Sequence, residues 1–101
     1  MEIPHHAEID RLFQAILSLK NLEECYHFFE DACTIKEIQE ISQRFDVATQ
    51  LWQGKNYNEV NQSTGASTAT ICRVKKCLMY GSNGYRMALE RLANKEETAD
   101  G

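Results

Sequence analysis

Tyr57-Asn-Glu-Val-Asn-Gln-Ser-Thr-Gly-Ala-Ser-Thr-Ala-Thr-Ile-Cys-Arg-Val-Lys-Lys76 is the stretch whose reading decides the fold. Asn56, just before it, and Glu59 have the spacing of a capping box and open a two-turn helix to Ser63. Gly65 supplies a positive φ that other residues resist, and Ser67 caps a second helix running to about Tyr80. Two helices joined by so tight a turn cross steeply, which fixes the inward positions as Val60, Ala66, Ile71 and Val74. The outer side then carries Ser67, Thr68, Ala69, Cys72, Arg73 and Lys76. This is the pattern of a helix-turn-helix, whose second helix enters the DNA major groove.

The chemistry of that outer side fits the reading. Small residues at the start of the second helix allow close approach to base edges. Arg73 can donate to guanine or to phosphate, and Lys76 to phosphate. The candidate DNA-contacting residues are Ser67, Thr68, Ala69, Thr70, Cys72, Arg73 and Lys76, with Lys55, Asn56 and Lys75 as phosphate contacts. Backbone amides at helix starts capped by Asn56 and Ser67 add further anion donors. Asn61 departs from the pattern, because helix-turn-helix proteins usually place alanine where the two helices touch.

Outward from this segment the chain reads as helix throughout. Ile9, Leu12, Phe13, Ile16 and Leu17 recur at helical spacing over Ala7–Leu19. Asn21 and Glu24 form a capping pair opening a helix through Cys33. Its apolar stripe of Leu22, Cys25, Tyr26, Phe28, Phe29 and Ala32 is wide for a surface helix. Thr34 and Glu37 start the longest helix, Ile35 to about Gln53, with Ile38, Ile41, Phe45, Ala48, Leu51 and Trp52 expected on its buried side. Gly54 stops it in the left-handed conformation common at helix ends. Gly81-Ser-Asn-Gly84 breaks the chain before a last helix, Tyr85–Ala93, and Asn94–Gly101 is polar enough to be expected disordered. Six helices and no convincing strand make an all-α protein, a single domain at 101 residues.

Charge is split along the chain. Residues 1–53 carry ten acids against four bases, whereas 54–92 carry six bases (Lys55, Arg73, Lys75, Lys76, Arg86, Arg91) against Glu59 and Glu90. A basic half within a chain of net charge −4 is the asymmetry expected when one face meets phosphates. No run approaches the ~20 apolar residues of a membrane span. The N-terminus lacks the basic-then-apolar pattern of a signal peptide, so a cytoplasmic location is expected.

Other chemistries find little support. Cys25, Cys33, Cys72 and Cys77 contain no CxxC spacing and read as reduced, mostly buried thiols with no metal site. His5 and His6 lie in a frayed terminus, and His27, within the apolar second helix, suits a core or interface role rather than catalysis. No Ser/His/Asp or Cys/His constellation is present, and the lone Trp52 reads as packing, so no enzyme and no cofactor are expected.

Phe28-Phe29-Glu-Asp31, Thr34-Ile-Lys-Glu-Ile38, Gln43-Arg-Phe45, Thr64-Gly-Ala-Ser-Thr-Ala-Thr-Ile71 and Gly84-Tyr85 together resemble the Trp-repressor superfamily, most closely its YerC/YecD-like bacterial branch. The resemblance runs from about Ile9 to Leu92. It implies six helices, an intertwined homodimer built from the first three helices and the last, and operator binding through the helix at Ser67–Tyr80. Such a dimer would cover the wide stripe on Leu22–Cys33 and set two recognition helices about one DNA turn, roughly 34 Å, apart. On this division, 7–53 supplies dimerisation, 54–80 reads DNA, and 84–93 forms the last helix.

In Trp repressor the corepressor lies between two arginines, which align with Arg44 and Arg73. A glycine that makes room for the indole aligns with Val74, and a serine that binds the ammonium aligns with Cys77. Val74 would intrude and Cys77 is a poor hydrogen-bond partner. The expectation is therefore a sequence-specific regulator, a repressor acting as a homodimer on a palindromic operator, without tryptophan as corepressor. Arg44 then reads as a partner for acids of the N-terminal half, or, with Arg73, as part of a pocket for another anionic effector. The alternative is a helical protein–protein interaction module using its acidic N-terminal half.

Overall fold

The computed structural model describes residues 2–100, with side chains over 2–96. Among the described residues the chain is six helices without a strand, and it divides into two compact units, residues 1–38 and 39–101.

The first unit holds α1 (Ala7–Leu17), α2 (Leu22–Ala32) and the first turn of α3 (Ile35–Trp52). Helix α1 ends two residues before the expected Leu19, where the Ser18 hydroxyl donates to the Ala15 carbonyl at 2.6 Å and competes with the helical ladder. Asn21 caps α2 by accepting from the Glu24 amide at 2.9 Å, while the Glu24 carboxylate takes the Lys20 amide rather than that of Asn21. At α3 the box closes fully: the Glu37 amide donates to Thr34 Oγ1 at 3.1 Å and the Thr34 amide to Glu37 Oε1 at 2.9 Å.

No side chain of residues 2–38 is fully buried. Leu17 is 84% exposed, Leu22 and Ile35 78%, and Tyr26 65%, so the apolar stripe of α2 is not a core within one chain. Phe28 and Phe29 pack edge to face at 5.2 Å and are only half-buried. So short a segment has too little apolar surface to cover its own face. His27, expected in a core or interface, is exposed and faces Glu23 at 3.7 Å.

The second unit has a core of Val47, Ala48, Val60, Ala66, Ile71, Val74, Leu78 and Leu89, with Phe45, Leu51 and Tyr85 packed against it. It joins the end of α3 to α4 (Tyr57–Thr64), α5 (Thr68–Tyr80) and α6 (Gly84–Asp100). Of the residues expected on the buried side of α3, Ala48 is enclosed and Phe45 and Leu51 partly so, but Ile38, Ile41 and Trp52 stay exposed. Val47 and Gln50 turn inward instead, because the α4–α5 pair meets α3 along that line. Helix α6 continues past Ala93 through residues 94–100, where a disordered tail is expected. Ala93, Lys95 and Glu96 are good helix formers, and no glycine or proline interrupts the run. Gly101 lies outside the described residues.

Candidate nucleic-acid interface

The turn between α4 and α5 is held by side chains of its own neighbourhood. Asn56 and Glu59 close the capping box of α4, amide to Oδ1 at 3.0 Å and amide to Oε1 at 3.3 Å. Gly65 adopts φ +72°, and its amide returns to the Asn61 carbonyl at 2.9 Å. The Thr64 hydroxyl donates to the Val60 carbonyl at 2.7 Å and accepts the Ala66 amide at 3.1 Å. Gln43, reaching from α3, donates to the Thr64 carbonyl at 3.1 Å. Asn61, the departure from alanine, donates its side-chain amide to the Ala66 carbonyl at 2.9 Å. Its side chain thus forms a bond across the turn, which sequence spacing alone did not reveal.

Helix α5 is fixed at both ends. Ser67 caps it, accepting from the Thr70 amide at 3.2 Å while its hydroxyl donates to Thr70 Oγ1 at 3.1 Å. The Tyr57 hydroxyl and Thr68 Oγ1 share a hydrogen bond of 2.6 Å, tying the first turn of α4 to the first turn of α5. At the other end the Gly81 amide bonds the Cys77 carbonyl, and Arg86 Nε donates to the Leu78 carbonyl at 2.6 Å. Such a cation suits the negative end of a helix. Tyr57, Gln43 and the structural use of Arg86 escaped the sequence reading, since each bond spans eight or more residues.

Between those fixed ends lies the expected outer face. Ser67, Thr68, Ala69, Cys72, Arg73 and Lys76 are all exposed, whereas Thr70 is half-buried and engaged by the cap. Inward, Val60, Ala66, Ile71 and Val74 are buried as expected. Cys72 and Cys77 are exposed free thiols, and Cys25 and Cys33 half-buried ones, so the expectation of mostly buried cysteines fails for the pair on α5.

The three candidate phosphate contacts, Lys55, Asn56 and Lys75, line one groove of about 520 Å³ along a flank of α5. Arg44 is half-buried on α3 and Arg73 exposed on α5, and neither lines that groove. Among the described residues His27–Glu23 is the ion pair formed. Among the same residues no group of three His, Cys, Asp or Glu side chains is placed to hold a metal ion. No described helix is long and apolar enough to cross a membrane.

These features have close counterparts. Residues 7–93 match the family model described as Trp repressor protein. The uncharacterized protein YerC of Bacillus subtilis (strain 168) is 57% identical over 89 residues, covering 88% of this chain and 86% of YerC. A candidate Trp repressor from Staphylococcus aureus superposes with a TM-score of 0.85 at 52% identity, over 88% of this chain and 89% of that one. A TrpR-like protein from Eubacterium eligens ATCC 27750 gives 0.85 at 53% identity, over 88% and 92%. This chain therefore belongs to the Trp repressor family, a family of DNA-binding regulators rather than of enzymes, and within it is a YerC-like protein.

Proposed function

We propose that the chain is a sequence-specific transcriptional repressor that binds a palindromic operator as a homodimer and does not use tryptophan as corepressor. The observation that carries this reading is the outer face of α5. Small residues at its start and Arg73 and Lys76 further along stand exposed on a helix pinned at both ends. A preorganised face loses little entropy on docking, so its contacts are spent on affinity and base discrimination. Thr68, Ala69, Cys72 and Arg73 are assigned to the groove, Lys76, Lys55, Asn56 and Lys75 to phosphates, and Ser67 and Thr70 to the helix start.

The homodimer is supported by the first unit. Leu17, Leu22, Tyr26 and Ile35 are large apolar groups facing outward, and a second copy of the same surface satisfies both at once. The absence of a tryptophan response is supported by Val74, which is 1% exposed and packed into the core where an indole would need room. Operator DNA places the working protein in the cytoplasm.

Binding of the purified protein to genomic fragments at low salt tests the reading. Affinity should fall steeply as salt rises, because each phosphate contact releases counterions. Arg73→Ala should lose about tenfold or more in affinity, the ~1–3 kcal/mol of a base-edge contact, with the thermal midpoint unchanged. Absence of any retained fragment would overturn the proposal.

A further inference from the structure

We propose that the groove on the flank of α5 is a binding site for a small aromatic anion, a ring carrying a carboxylate or phosphate. Its floor is apolar, formed by the buried Ile71 and Leu78. Trp52 and Tyr57, 43% and 40% exposed, line it. Three cations, Lys55, Lys75 and Arg86, line it and no acid does, in a chain whose 15 acids outnumber its 11 bases. Among the described residues none of the three is paired with a carboxylate. The bond from Arg86 Nε to the Leu78 carbonyl also holds that guanidinium in place.

These features select the ligand. Uncompensated positive charge calls for an anion, and rings over an apolar floor call for an apolar or aromatic body. A DNA phosphate would use the cations but leave the floor uncovered. The volume of about 520 Å³ lies within the range typical of small-molecule sites. The site is distinct from the position of the tryptophan pocket. Lys75 projects from one flank of α5, while Arg73 and Cys77 project from the other, roughly half a turn round the helix. Binding itself does not depend on DNA reading, but its consequence does. A bound anion neutralises Lys55 and Lys75, two proposed phosphate contacts, and so weakens operator binding.

The chain contains one tryptophan, Trp52, so its emission reports on the groove without a label. Phenyl phosphate should change that emission saturably at millimolar concentration, with no duplex present. Inorganic phosphate, which lacks the ring, and benzyl alcohol, which lacks the charge, should give no comparable change. The double variant Lys55→Ala/Lys75→Ala, both exposed side chains, should raise half-saturation by about tenfold with an unchanged thermal midpoint. Labelled duplex should bind more weakly when phenyl phosphate is present.

A flat emission with phenyl phosphate, an equal response to benzyl alcohol, or an unaltered response in the double variant overturns the site. So does a phenyl phosphate response that saturating duplex leaves unweakened, since the two ligands are proposed to share Lys55 and Lys75. If Trp52 titrates but no duplex binds, the regulator reading fails and the groove stands. If duplex binds and Trp52 is silent, the reverse holds.

Discussion

Gln50 is the buried polar side chain beside an otherwise apolar core, and its position illustrates how single residues are satisfied here. Its Oε1 accepts from Ser63 Oγ at 2.5 Å and its Nε2 donates to Asp46 Oδ1 at 3.2 Å, so α3 and α4 are joined through one amide. Among the described residues no buried side-chain polar atom lacks a partner. Ser63→Ala should strand the Gln50 carbonyl and cost about 1–2 kcal/mol. The urea midpoint should fall with an unchanged slope. Adding Gln50→Leu to that variant removes both partners and should recover much of the loss, because an apolar pair asks for no hydrogen bond. A double variant no more stable than Ser63→Ala would contradict this.

At the scale of the element, helix starts are where the sequence is most readable. Thr34, Asn56 and Ser67 each cap the helix that follows, because capping is settled within four residues. The box at α3 also has a pH signature. Hydrogen bonds from the backbone and side chain of Thr34 hold the Glu37 carboxyl below its ordinary 4.5. A carboxyl so depressed contributes its stabilisation above the unfolded value and loses it as pH falls through the folded one. The Thr34 amide resonance should therefore move with a midpoint below 4.5, and Glu37→Gln, which keeps the box, should abolish the step. A Thr34 amide that ignores acidification would refute the coupling. What the sequence hides is which face a helix buries. Helical spacing places Ile38, Ile41 and Trp52 on the apolar side of α3, but α4 and α5 meet the line of Val47 and Gln50 instead. The bonds from Gln43 to Thr64 and from Arg86 to Leu78 are likewise products of packing, and no local pattern announces them.

At the scale of the whole molecule, apolar surface is divided unevenly. The core lies in 39–101, whereas Leu12, Phe13, Leu17, Leu22 and Tyr26 of α1 and α2 are exposed. Burying a side chain such as Leu17, Leu22 or Ile35 is worth roughly 1.5–3 kcal/mol each, enough together to drive association. The protein should sediment at twice the mass of one chain at micromolar concentration. Leu17→Glu combined with Tyr26→Glu should shift it toward the single-chain mass and weaken operator binding, since one recognition helix then meets one half-site. Wild-type protein that sediments as a single chain would sink the dimeric reading. The groove beside α5 belongs to 39–101 alone, so its response to phenyl phosphate should survive in the dissociated variant.

The bonds that shape the turn arise from Gln43, Asn61 and Thr64, and the outward residues Ala69, Cys72, Arg73 and Lys76 contribute none of them. On the proposed reading, shaping the turn and reading DNA thus fall largely to different residues, with Thr68 serving both. If the proposed function holds, substitutions at Ala69, Cys72 and Arg73 should retarget the protein to a new operator without first eroding the scaffold. A lineage built on such a head would be free to diversify its targets by drift on one helix face, while the turn beneath it stays under constraint.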